Sequence, residues 1–97
     1  MASLEILNPV AEIVPNVVPA APRLESLEGK TIGLFWNMKA GGDVALAAAA
    51  DELARRHPGL RFRNYTGSVG SLVRLATPAD QERMAAECDA VIGTTAD

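Results

Sequence analysis

Residues that usually announce chemistry are scarce in this chain. It has one cysteine, one histidine, one tryptophan, one tyrosine and two phenylalanines. The single cysteine, Cys88, excludes an intrachain disulfide and any multi-cysteine metal site within this chain, and no metal ligands are assigned. Nine basic residues against twelve acidic ones give a net charge of −3, and Arg55-Arg56 is the only adjacent basic pair. That balance, with so few aromatics, leaves no basic stripe with stacking platforms for nucleic acid. No apolar run approaches the roughly 20 residues that a membrane-spanning helix needs. No basic segment leads into an apolar core at the start, so no secretory signal is expected. The expectation is a soluble, cytoplasmic protein.

What is present divides at about residue 29. In residues 1–29, Pro9, Pro15, Pro19 and Pro22 break any helix and remove backbone donors from any sheet interior. Between them stand Leu4, Ile6, Val10, Ile13, Val14, Val17 and Val18, with only Glu5 and Glu12 charged before Arg23. Disordered tails are polar as a rule, because low hydrophobicity is what prevents burial. This segment reads either as a flexible leader or as an extended apolar arm that lies on a partner or on the rest of the fold. Short stretches such as Glu5-Ile6-Leu7 suit addition to a sheet edge.

Residues 30–97 read as a partial α/β domain completed by a partner chain. Thr31-Ile32-Gly33-Leu34-Phe35-Trp36 is a continuous apolar run of strand length, the pattern of a strand covered on both faces. Asp43 is expected to cap a helix through Val44, Leu46 and Leu53, closed by Arg55, Arg56, His57 and then Pro58-Gly59. Leu60-Arg61-Phe62-Arg63-Asn64-Tyr65 alternates and predicts a half-exposed edge strand. Thr66–Ala76 predicts a loop with a short turn of helix around Leu72-Val73. Thr77-Pro78-Ala79-Asp80 is a helix start with a capping threonine, proline at the first helical position and an acid in the first turn. Ala90-Val91-Ile92-Gly93 is a further apolar strand.

The expected architecture is an incomplete flavodoxin- or Rossmann-like three-layer unit. Parallel strands lie over about 31–36, 60–65 and 90–94, with helices over about 43–57 and 77–88. The first strand is expected between the other two. The third strand, apolar and suited to the sheet centre, needs a neighbour that this sequence does not supply. The other half of the fold is therefore expected on a different polypeptide or a further segment.

Ligands in open parallel sheets bind beyond the carboxyl ends of the strands, at the point where strand order reverses. Two segments face each other there. Asn37, Lys39, Gly41, Gly42 and Asp43 offer an amide, an ammonium, a close-approach turn and a carboxylate for a small anionic substrate. Thr94, Thr95 and Asp97 offer hydroxyls and a carboxylate in supporting catalytic roles. The Gly41-Gly42-Asp43 turn is neither G-x-G-x-x-G nor G-x-x-x-x-G-K-[ST], and an ordinary strand-to-helix turn explains it equally well. His57 reads as a surface residue at a helix end, and Cys88 as a small buried one. No nucleophile is assigned.

The stretch Leu27–Asp97 resembles the N-terminal half of the UGSC family, named for a selenocysteine-Gly-Ser-Cys motif that is Cys-Gly-Ser-Cys in many members. The resemblance rests on Leu27-Glu28-Gly29-Lys30-Thr31-Ile32-Gly33-Leu34, on Asn37-x-Lys39-x-x-x-Asp43, and on Cys88-Asp89-Ala90-Val91-Ile92-Gly93. It implies thiol or selenol chemistry at the switch point, with the motif itself beginning directly after Asp97. A partner chain starting with Cys would then carry the nucleophile. Cleavage before that Cys, assisted by Asp97 and the Thr94-Thr95 hydroxyls, would resemble the processing of glycine and proline reductase subunits and could leave a pyruvoyl group. Separate genes and truncation are the competing origins of the end at Asp97. The expected function is the small subunit of a heteromeric, cysteine-dependent α/β enzyme. The alternative is a non-catalytic accessory module that stabilises a partner through its arm and open sheet edge.

Overall fold

The computed structural model describes residues 2–95. Five elements follow one another: β1 (Thr31–Trp36), α1 (Gly42–Arg56), β2 (Arg61–Thr66), α2 (Pro78–Glu87) and β3 (Ala90–Thr94). The three strands form one sheet in the order β2-β1-β3. Both pairings are parallel, with Ile32 opposite Phe62 on one side and opposite Ala90 on the other. The expected α/β unit with β1 between its neighbours is what forms.

β1 earns the central position by composition. Ile32 and Leu34 are almost fully buried, and Leu46 of α1 packs on them. Trp36, Ala50, Phe62, Ala90 and Ile92 extend this face of the core. The other face carries Tyr65, whose ring is buried and whose hydroxyl donates to Glu87 at 2.5 Å and lies 3.3 Å from Cys88 Sγ. Glu87 also pairs with Arg63 at 3.3 Å, and the Arg83 guanidinium sits 5.7 Å above the Tyr65 ring. Hydrogen bonding to Cys88 and then to Glu87 holds the proton on Tyr65 and raises its pKa above the ordinary phenol value. Cys88, the expected small core residue, is half-buried at the C-cap of α2.

At the amino end of the sheet a side chain sets the register of β3. Asp89 accepts from the Thr31 amide at 2.9 Å, and its own amide donates to the Thr31 carbonyl at 2.8 Å. From there β3 pairs only with β1 among the described residues, and its outer edge faces outward. Val91 is 44 % exposed. An apolar strand of this kind suits a sheet interior better than an edge.

Residues 2–30 contribute no helix or strand, and Leu4, Ile6, Ile13, Val14 and Val17 are each at least 81 % exposed. The radius of gyration is 19.5 Å, against about 13 Å for a compact chain of this length. The apolar segment is thus extended, and only its end approaches the sheet, where Pro22, Leu24 and Leu27 line a cavity with Asp89, Ala90 and Val91.

The two helices start by different means. α2 carries the expected threonine cap, as half of a capping box: the Thr77 hydroxyl accepts from the Asp80 amide, and the Asp80 carboxylate accepts from the Thr77 amide. α1 departs from expectation. Its N-cap is Gly41, in the left-handed conformation at φ 95°, and no side chain caps it. Asp43 lies inside the first turn, where its charge complements the helix dipole without capping. Tertiary packing displaced the start: Gly42 is buried and already helical.

These two starts invite a direct comparison. Thr77→Ala should lower unfolding free energy by about 1 kcal/mol, the usual worth of an N-cap. Asp43→Ala should cost only about 0.3 kcal/mol, since it removes a charge from the first turn and nothing else. Urea unfolding followed by circular dichroism measures both; equal losses would show that Asp43 caps α1 after all.

Candidate functional site

The chemistry-bearing loops gather beyond the carboxyl ends of the strands. After β1, the chain folds into a tight knot. The Trp36 indole N–H donates to the Lys39 carbonyl at 2.7 Å, and the Gly42 amide donates to the same carbonyl at 3.2 Å. The Lys39 amide donates to the Asn37 side-chain oxygen at 3.1 Å. Met38 sits at φ 72°, a left-handed conformation uncommon for its residue type. Asn37 is buried at 7 % exposure, and Lys39 is half-buried.

Gly42 joins this knot to β3. The Thr94 hydroxyl donates to the Gly42 carbonyl at 3.1 Å. A Cβ on Gly42 would stand 2.9 Å from that hydroxyl and 2.9 Å from Trp36 Cδ1. Close approach of backbone to its neighbours, rather than to an anion, is what requires glycine here. Of the residues singled out from sequence, Asn37, Lys39, Gly41, Gly42 and Thr94 therefore share one hydrogen-bonded cluster. Asp43 stands at its margin and lines a cavity of about 220 Å³ with Leu34, Trp36, Leu46, Asn64 and Thr66. Thr95 is exposed just past β3. Asp97 lies outside the described residues.

A second loop, after β2, covers the same edge. No turn of helix forms at Leu72-Val73. Val69 and Leu75 instead make an isolated antiparallel bridge, with the Leu75 amide donating to Val69 at 2.8 Å. The reversal brings backbone against backbone: a Cβ on Gly67 would lie 2.1 Å from the Leu75 carbonyl oxygen. Such closeness is incompatible with a side chain and explains the departure from the expected helical turn. The Arg74 amide donates to the Asn37 carbonyl at 2.9 Å, tying this loop to the first. At the loop's base, Asp80 accepts from the Ser68 hydroxyl at 2.5 Å and from the Ser68 amide at 3.0 Å. These bonds, led by the Ser68 hydroxyl and then the Thr77 amide, hold the Asp80 carboxyl well below the usual range. Sequence reading placed Asp80 only as an acid in the first turn and passed over Arg74. The Gly67 and Gly70 pair beside Thr77-Pro78-Ala79-Asp80 was the available signal that the loop would be braced.

His57 and Cys88 are elsewhere. Each directly follows a helix and precedes a strand, so both lie toward the amino ends of the sheet. A five-residue strand such as β3 spans about 16 Å, which separates Cys88 from the carboxyl-edge loops. Among the described residues, no three His, Cys, Asp or Glu side chains form a metal-ligand group. The edge offers hydroxyls, amides and cations, which can bind and orient a substrate.

Two outcomes check this geometry. Gly42→Ala should disturb the Trp36–Lys39–Thr94 junction and shift the fluorescence of the sole tryptophan, whereas Gly93→Ala, with open space at its Cβ, should leave the emission unchanged. Identical spectra for both variants would refute the junction. The brace is pH-dependent, since its hydrogen bonds favour ionised Asp80. Its stabilising effect is complete above the ordinary carboxylate range near about pH 4 and is lost as pH falls through the depressed native value. The Ser68 amide resonance should therefore titrate below that range, and Asp80→Asn should give the low-pH shift at neutral pH. A midpoint at or above the ordinary range would contradict the brace.

No helix of the described residues is long and apolar enough to cross a membrane. No curated protein and no solved structure matches the sequence. The model of the UGSC family does match it, from residue 5 to residue 97, taking in the apolar arm, both loops and every strand and helix. On the extent of that match, this chain belongs to the UGSC family.

Proposed function

We propose that this chain is the small subunit of a heteromeric α/β enzyme and forms one wall of its switch-point active site. Asn37, Lys39, Gly41, Gly42 and Asp43 contribute the substrate-binding loop. Thr94 and Thr95, with Asp97 beyond the described residues, take supporting catalytic roles. A partner chain packs along β3 and presents the reactive cysteine or selenocysteine. The observation that carries this reading is the coincidence, on β3, of an open outer edge with a carboxyl end that joins the loop cluster. The absence of histidine and cysteine from that edge among the described residues agrees with a nucleophile brought from outside. A cytoplasmic setting follows from such chemistry, because thiols stay reduced there.

A second reading is favoured by the arm. Its apolar side chains are exposed, yet residues 5–29 fall within the family match, so the arm is part of what members share. In this reading the chain is a non-catalytic module that holds a partner by the arm and the open edge.

Co-purification from the native source followed by intact-mass measurement tests the first reading. A stoichiometric partner bearing the Cys-Gly-Ser-Cys or selenocysteine motif is expected, and deletion of residues 1–22 should weaken assembly more than it alters the circular dichroism of the chain. A partner with no reactive thiol or selenol would favour the accessory module. A stable monomer that unfolds cooperatively would defeat both readings.

A further inference from the structure

We propose that the cavity beside α1 binds a small protonated amine, whose apolar body fills the recess while its ammonium group pairs with the Asp43 carboxylate. The inference rests on the reading of the Asn37–Asp43 loop as substrate-binding and names the class of group taken at its Asp43 end.

The recess follows from where α1 is anchored. The Thr94 hydroxyl holds the Gly42 carbonyl, and α1 packs on β1 and β3. The helix is thereby drawn toward β3, and Asn64 and Thr66 of β2 are left exposed. Leu34 stands opposite Asn64, and Trp36 opposite Thr66. Alternate residues of a strand share a face, so these four residues form one floor. Leu34 packs with Leu46, which places that floor under α1. Asp43, Leu46 and Ala47 stand at i, i+3 and i+4 on the helix, and so on a single side of it. That side is the wall of the recess, and the space it encloses with the floor is about 220 Å³. An apolar cavity of about 150 Å³ already holds benzene, so a ring with a one-carbon substituent fits here.

The lining selects the occupant. Leu34, Trp36, Leu46 and Ala47 carry no charge, and Asp43 is the only charged residue among the described residues that line the cavity. The ion pairs of the described residues engage the acids Glu52, Glu87 and Asp80, and none engages Asp43. An anion in the recess would face that carboxylate with nothing in the lining to offset it. An ammonium ion answers it at the exposed rim, while the attached hydrocarbon leaves water. The side chains of Asn64 and Thr66 stand exposed on the same floor and can accept further ammonium hydrogens. The recess lies on the β2 side of β1, away from the outer edge of β3, so a partner that pairs with β3 does not fill it.

The test is a nuclear magnetic resonance titration of the full chain at neutral pH and constant ionic strength. Only this chain carries the isotope label, so a co-purifying partner adds no signals. Benzylamine is the probe, with benzyl alcohol, benzoate and methylamine as comparisons. Benzylamine should move the Trp36 indole and the Leu46 and Asn64 amide signals saturably, with half-saturation on the order of millimolar. Benzyl alcohol should bind about fivefold more weakly, as the loss of one exposed ion pair implies. Benzoate should bind more weakly still, and methylamine should not saturate over the same range. Asp43→Asn should weaken benzylamine about fivefold and leave benzyl alcohol unchanged. Ala47→Leu extends a side chain into the recess from an exposed helix position that leucine suits. It should abolish the response while native amide dispersion is kept. No saturable movement with benzylamine, or movement that persists in Ala47→Leu, would overturn the pocket. Benzoate or benzyl alcohol binding as tightly as benzylamine, or an affinity indifferent to Asp43→Asn, would overturn the amine assignment. Neither result depends on finding a thiol-bearing partner, so failure here and failure of the subunit reading are told apart.

Discussion

The structure depends on one constraint: among the described residues, β1 is the only strand paired on both sides. Its continuous apolar run leaves it nowhere else to go, since either edge would expose Ile32 or Leu34 to water. With β1 central, the right-handed crossovers put α1 and α2 on opposite faces and send β2 and β3 to opposite sides. The reversal of strand order at β1 creates the crevice. The loop after β1 must then leave the sheet between those after β2 and β3, which is why Asn37 and Gly42 meet Arg74 and Thr94, respectively.

The same topology divides the chemistry of the chain. Parallel strands give the sheet two unlike ends. The amino end holds Asp89 locking Thr31, with His57 and Cys88 nearby in the connections. The carboxyl end holds the interlocked loops. Cys88 meets the Tyr65 hydroxyl, which itself donates to Glu87, so the thiol belongs to a polar cluster on the α2 face. The sole thiol among the described residues is thus structural in its surroundings, and the carboxyl edge gathers amides, hydroxyls and cations. β3 connects the two ends and carries the open edge, so anything that pairs with it sits beside the crevice as well.

Strand and helix placement was legible because it rests on local patterns. The apolar run of β1, the alternation of β2 and the Thr77-Pro78-Ala79-Asp80 start each encode their element within a few residues. The start of α1 was misread for the opposite reason. Asp43 is a good cap in isolation, but the contact of Gly42 with Trp36 and Thr94, partners as far as 52 residues away, drew the helix start earlier. The 67–76 loop was misread in the same way. Leu72-Val73 has no local signal against a helical turn; the backbone contact between Gly67 and Leu75 excludes it. The recess beside α1 was invisible, because a cavity is defined by what fails to fill it.

The sequence by itself determined the α/β class, the central strand, the capped second helix and the two segments flanking the switch point. Those follow from hydrophobic period and capping chemistry, which act over one or two turns of chain. Only the tertiary structure decided which of those residues touch. It made Gly42 a packing glycine, moved Asp43 to the margin, fastened the second loop through Asp80 and left a recess between α1 and β2. Contacts of that kind join residues distant in sequence, and they exist only once the sheet has brought the ends of its strands together.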